Sequence, residues 1–239
     1  MTGRLSAVKV CLGRRVTAVR SCGTAQGYEV LVDGESPLKA DAVVFATPAF
    51  GAAGLLEPLD ATVAGMLGAI PYASTATVTL GYRREGFSHR LDGYGFVIPR
   101  VEGRALLAST WSSSKWDHRA PDGSVLIRSY VGGAGRDATL ERSDEELVAL
   151  VRADLRHVMG VTEEPVLARV FRWPRAMPQY LVGHLERLAV IEERLKRWPG
   201  VFLAGAAYRG VGIPDCIRDG LSAAEGVRAY FDKGAPRSL

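Results

Sequence analysis

One run near the C-terminus narrows what this chain can fold into more than any other: Leu203-Ala-Gly-Ala-Ala-Tyr-Arg-Gly-Val-Gly-Ile-Pro-Asp-Cys-Ile-Arg-Asp-Gly-Leu-Ser-Ala-Ala-Glu225. It reads as a buried strand, a glycine-bearing turn, and a helix entered through Pro214 and Asp215. Gly205, Gly210 and Gly212 let backbone come close to a ligand, and Pro214 suits a first helical turn, where a missing N–H costs nothing. The helix start then directs backbone N–H groups at something electron-rich. Ala223 and Ala224 allow that helix to pack tightly on a sheet. The pattern is the closing half of a dinucleotide site. Its opening half, a strand running through G-x-G-x-x-G into a helix, is not found upstream.

A second glycine cluster imitates that opening half. Gly133-Ala-Gly135-Arg-Asp-Ala138 fits G-x-G-x-x-A after a strand, but the next helix starts only at the Ser143-Asp-Glu-Glu146 capping box. No acidic residue ends a second strand about 20 positions on. The cluster is read as a turn.

Other chemistry is excluded more simply. The net charge is +4, with arginines and acidic residues interspersed, so neither a basic run nor an aromatic RNA signature points to nucleic acid. Cys11, Cys22 and Cys216 form no C-x-x-C pair, and a reducing cytoplasm is expected. The histidines His89, His118, His157 and His184 lack metal-ligand spacing and are read as surface or loop residues. There is no G-x-S-x-G elbow and no acid–base constellation. No apolar stretch approaches the roughly 18 residues of a membrane span, and a soluble protein is expected, with peripheral membrane association left open.

At 239 residues and 47% hydrophobic content, the chain can bury one large core or two small ones. β-rich runs are expected over 8–19 and 28–32 as a hairpin, and a fully buried strand over 38–46 stops at Pro48. Short helices follow over 48–67. Further strands are expected over 75–82, 94–98, 104–110, 125–131 and 166–171. The capped helix presents Leu147, Leu150, Val151, Leu155 and Val158 as its apolar face. Residues 173–178 read as a proline-bracketed loop, and a second amphipathic helix covers 185–198. Strands dominate the middle and α/β character the two ends. The fold class is therefore mixed α/β, a discontinuous domain with an insertion.

Trp173-Pro-Arg-Ala-Met-Pro-Gln-Tyr180, Gly183-His184 and above all Gly205-Ala-Ala-Tyr-Arg-Gly-Val-Gly-Ile-Pro-Asp-Cys-Ile-Arg-Asp-Gly220 resemble the C-terminal portion of the flavin-dependent porphyrinogen oxidases, relatives of the amine-oxidase flavoproteins. The resemblance implies the C-terminal part of a Rossmann-like FAD-binding domain (1–48 and 165–239) holding an antiparallel-sheet substrate domain (49–164). It implies backbone contact of Val16 with the adenine of FAD and an aromatic ring, Trp173, beside the flavin. Val211, Gly212 and Ile213 would approach the flavin by backbone. The implied reaction is FAD-dependent oxidation of coproporphyrinogen III or protoporphyrinogen IX to the porphyrin of haem biosynthesis, with molecular oxygen as acceptor. No catalytic residue is implied, and a homodimer is left open. Because the pyrophosphate-binding segment of that family has no counterpart here, the chain is expected to be about the C-terminal half of such an enzyme. Alone it is expected to bind FAD weakly and not turn over. The alternatives are another amine-oxidase-type flavoprotein, such as a carotenoid desaturase or amine oxidase, and a non-catalytic remnant or interaction module.

Overall fold

The computed structural model describes residues 8–23 and 27–234. The chain forms two units, 1–71 with 180–239 and, inserted between them, 72–179. The first unit opens with a three-stranded antiparallel sheet, β1 (Val16–Ser21), β2 (Tyr28–Val32) and β3 (Leu38–Ala40), in that order. The hairpin is as the β-branched runs predict, but its first strand starts at Val16 rather than residue 8. Residues 8–15 are exposed and include Gly13 at φ 68°, a left-handed turn conformation that interrupts regular strand geometry. The single buried strand expected over 38–46 divides in two. β4 (Val43–Phe45) leaves β3 behind and pairs in parallel with a strand from the end of the chain, and Val44 is exposed. Two short helices follow, α1 (Ala49–Leu56) and α2 (Ala61–Gly68).

The second unit is a five-stranded antiparallel sheet. Its elements in chain order are β5 (Tyr72–Arg83), β6 (Gly95–Val97), β7 (Leu106–Trp111), the one-turn helix α3 (Ser112–Lys115), β8 (Ser124–Gly132), the helix α4 (Asp144–Met159) and β9 (Leu167–Pro178). The spatial order is β6-β7-β8-β5-β9. Period-2 alternation in β5 sends Ala76, Val78, Leu80 and Tyr82 into the core and Thr75, Thr77 and Thr79 to the other face. α4 covers the core face with Leu147, Val151, Leu155 and Met159, while Val158, expected on that face, is exposed. Its capping box is complete: Glu146 N–H donates to Ser143 Oγ at 3.2 Å and Ser143 N–H to Glu146 Oε2 at 2.8 Å. The Gly133–Ala138 cluster is a turn after β8, and Gly133 N–H donates to Ser74 O at 2.8 Å.

The expected loop over 173–178 is strand instead. β9 runs on to Pro178, with Pro174, Arg175 and Ala176 bulged opposite Ser74 alone and Arg175 at φ 45°. Prolines are tolerated because β9 is the sheet edge, where a lost N–H leaves no ladder bond broken. With this pairing the compact units divide after Pro71 and after Gln179. β9 is joined to β5 along its length, and α1 and α2 pack on β1 and on the later helix α5 (His184–Leu195).

The first unit closes with α5, β10 (Val201–Leu203) and α6 (Ile213–Asp232), β10 lying parallel to β4. Among the described residues no helix is long and apolar enough to cross a membrane. Asp60 clasps α2 to α5. It caps α2 by accepting from Val63 N–H at 3.0 Å, and Arg194 of α5 reaches both carboxylate oxygens from Nε at 3.1 Å. Burial would raise the Asp60 carboxyl, but the Val63 bond and Arg194 outweigh it and hold the group below its ordinary 3.8. A depressed carboxyl stabilises the fold above its unfolded pKa and loses that contribution as pH falls through the lower folded value. Asp60→Asn is therefore expected to cost about 2 kcal/mol at pH 7 in urea denaturation. The difference from the parent chain should shrink steadily below about pH 4.

Candidate functional site

The glycine turn predicted from the terminal block joins β10 to α6. Gly205 and Gly210 hold φ values of 133° and 147°, which side-chain-bearing residues rarely adopt. A Cβ on Gly210 would lie 2.5 Å from the Asp215 side chain, and one on Gly212 would lie 2.9 Å from Asp215 Oδ2. Gly212 is the N-cap of α6 and supplies no side-chain cap, and Pro214 removes one of the first-turn donors. Val211 and Ile213 are exposed at 52% and 78%. The segment 211–213 thus presents open backbone, the positive end of a 20-residue helix, and apolar side chains directed at solvent.

Four side chains hold this turn in place: Asp219, Arg209, Tyr180 and His184. Asp219, buried inside α6, accepts from Gly205 N–H at 2.8 Å and pairs with Arg209, which also pairs with Glu192 of α5. Desolvation of Arg209 works against its charge, but the two carboxylates outweigh it and raise its pKa. Tyr180 bridges the turn from outside: its hydroxyl donates to Ala206 O at 2.6 Å and accepts from Gly210 N–H at 2.9 Å. His184 stacks on Tyr180 with ring centroids 4.1 Å apart, and its Nε2 donates to Tyr208 O at 3.0 Å. The surface or loop placement expected for His184 is thereby corrected. As the first residue of α5 it is buried between Tyr180 and the turn. His89 accepts from Leu91 N–H at 3.0 Å and His157 meets Arg104 at 2.7 Å. Among the described residues no group of three His, Cys, Asp or Glu side chains is arranged to hold a metal.

The remaining sequence-derived residues lie elsewhere. Val16 opens β1, half-buried and paired with Val32, rather than ending a longer strand. Trp173 belongs to the second unit, on β9 opposite Thr75, and is 52% exposed. Sequence reasoning quoted Tyr180, His184, Arg209 and Asp219 inside its motifs but gave none of them a part in shaping the turn. A buried Asp at the second turn of a helix behind a glycine run was the available signal.

A glycine turn leading into a helix, a parallel β4–β10 pair and an inserted antiparallel sheet define the class, the closing part of a Rossmann-like α/β fold with an insertion. Comparison with known proteins gives the family. The model of the flavin-containing amine oxidoreductases matches residues 2–228, and the chain belongs to that family. It is 38% identical to coproporphyrinogen III oxidase of Bacillus subtilis over 95% of this chain and 48% of the relative. It is 31% identical to the chloroplastic protoporphyrinogen oxidase of rice over 98% of this chain and 46% of the relative. A crystal structure of a protein assigned as a protoporphyrinogen oxidase from Exiguobacterium sp. 255-15 superposes with a TM-score of 0.81 at 31% identity, covering 96% of this chain and 50% of the other. The chain spans about half the length of the relatives it matches.

Gly210→Ala places a Cβ against Asp215 at an unfavourable φ, and a loss of at least about 2 kcal/mol is expected. Asp219→Ala should cost a similar amount by leaving Gly205 N–H and Arg209 without their buried acceptor. It should also speed amide exchange at Gly205 far more than at β5, which measurement of hydrogen exchange residue by residue will check.

Proposed function

We propose that this sequence supplies the flavin-facing turn and the substrate sheet of an FAD-dependent, oxygen-using porphyrinogen oxidase, converting coproporphyrinogen III or protoporphyrinogen IX to the porphyrin in haem biosynthesis. The observation that carries this reading is the 38% identity to the B. subtilis coproporphyrinogen III oxidase across nearly the whole chain. The turn fits the cofactor's demands: bare backbone at 211–213, glycines where a Cβ would intrude, and an uncapped helix start. In this reading Val211, Gly212 and Ile213 lie against the flavin by backbone, Val16 meets the adenine by backbone, and Trp173 stands beside the ring system. The chemistry FAD would supply is acceptance of hydride equivalents from the macrocycle and their delivery to molecular oxygen.

The chain's own residues do the orienting. The first-turn N–H groups of α6 oppose negative charge on a bound ring, and no water-competing side-chain cap occupies them. The Tyr180–Asp219–Arg209 bonds fix where those donors stand, so that little reorganisation is needed when charge develops. The exposed Val211 and Ile213 side chains would exclude water once covered.

A chimera in which this chain replaces the matching half of the B. subtilis relative tests the reading. The expected result is bound FAD and oxygen-dependent appearance of porphyrin fluorescence from coproporphyrinogen III. A flavin-loaded chimera that leaves porphyrinogens untouched and oxidises an alkylamine would assign the chain to amine oxidation instead.

A further inference from the structure

The five-stranded sheet of the second unit has one face covered by α4 and one face open, and the register fixes what the open face carries. Thr79 of β5 lies between Arg128 of β8 and Arg169 of β9. One step along, Thr77 lies between Tyr130 and Phe171, and one step further Thr75 lies between Gly132 and Trp173. Directly paired residues share a face, so three parallel rows stand side by side: arginine, threonine, arginine; then tyrosine, threonine, phenylalanine; then glycine, threonine, tryptophan. Ala108, Thr110 and Val97 extend the surface across β7 and β6.

Phe171 and Trp173 are 55% and 52% exposed, and Arg128 and Arg169 are exposed as well. No carboxylate belongs to these rows. Among the described residues neither arginine pairs with one; Arg169 donates to the neighbouring Ala168 O at 3.0 Å. The two guanidinium-bearing strand positions are two strands apart, roughly 10 Å, and Trp173 lies roughly 13 Å along β9 from Arg169. Arg172, on the alternate face of the same strand, is by contrast bonded to Asp144 and to Leu140 O. The open face therefore joins a flat aromatic floor to two unneutralised cations along one border. A surface of this make-up fits a flat, multiply carboxylated ring compound, with ring stacking over the floor and bidentate pairing of guanidinium with carboxylate.

Resting on the reading above, we propose that this face seats the macrocycle: the conjugated porphyrin product lies flat over Tyr130, Thr77, Phe171 and Trp173, the non-planar porphyrinogen meets the same floor through its pyrrole rings, and the carboxylates that both carry pair with Arg128 and Arg169. Both arginines are specificity determinants for acidic side chains on the substrate. The test is fluorescence titration of the full 239-residue chain with coproporphyrin III, its tetramethyl ester and pyrenetetrasulfonate, at low and high salt. Arg128→Gln and Arg169→Gln are each expected to weaken coproporphyrin binding about tenfold and to flatten its salt dependence. The ester should bind the parent chain and both variants equally. Phe171→Ala should weaken acid and ester alike, and Arg156→Gln, on the helix behind the opposite face, should change nothing. Coproporphyrin binding that ignores both arginines would overturn the inference and leave the oxidase reading standing. Arginine-dependent binding of pyrenetetrasulfonate without any binding of coproporphyrin would keep the anion-binding face but remove the porphyrinogen as its occupant. Absence of binding by all three probes, or self-association of the chain that the double variant abolishes, would overturn the proposed seat.

Discussion

A buried carboxylate sets the shape on which the functional reading depends. Asp219 sits within α6, yet it accepts from the backbone of Gly205 at the other end of the turn and pairs with Arg209 between them. A turn with glycines at φ 133° and 147° has many conformations open to it in the unfolded chain, and their loss opposes folding. Asp219, supported by Glu192 through Arg209 and by the Tyr180 hydroxyl, selects one of them. The result is a helix start whose donors point outward, free of side-chain caps, in a fixed place. Remove the carboxylate and the sequence motif remains, but Gly205 N–H and Arg209 lose the acceptor that ties the turn to α6.

The second unit solves a different problem. An antiparallel sheet needs only one face buried, and the alternation in β5 assigns the faces cleanly, with alanine, valine and leucine toward α4 and threonine away. Threonines suit strands and leave a shallow, moderately polar row between β8 and β9 on the open face. Arginine and aromatic side chains on the flanking strands then stand clear of it.

Much of this was legible in the sequence because it rests on local chemistry. The Ser143 capping box, the alternation of β5 and the strand–glycine–helix block at 203–225 each announce themselves within a dozen residues, and each is found in place. The family resemblance was carried chiefly by the contiguous motif at 205–220 for the same reason. What escaped depends on pairing between distant segments. The residues at 173–178 look like a loop because of Pro174 and Pro178, and only an edge position opposite β5 makes them strand. The strand over 38–46 splits because its two halves find partners in different sheets. His184 carries no local sign of burial; stacking on Tyr180 and the Tyr208 carbonyl decide it. The arginine and aromatic rows are invisible in sequence, since Arg128 and Arg169 become neighbours only through the register of three strands.

The central claim is that the turn from Gly205 to Ile213, and not the look-alike glycine cluster at 133–138, is the part of this chain that meets a flavin. Titration of the isotopically labelled chain with FAD at millimolar concentration, followed by amide NMR, tests it even if binding is weak. Saturable shifts are expected to concentrate at Val211, Gly212, Ile213 and Asp215, with Gly133 and Gly135 unmoved. Shifts centred on Gly133 and Gly135, or none that saturate at 211–213, would contradict it.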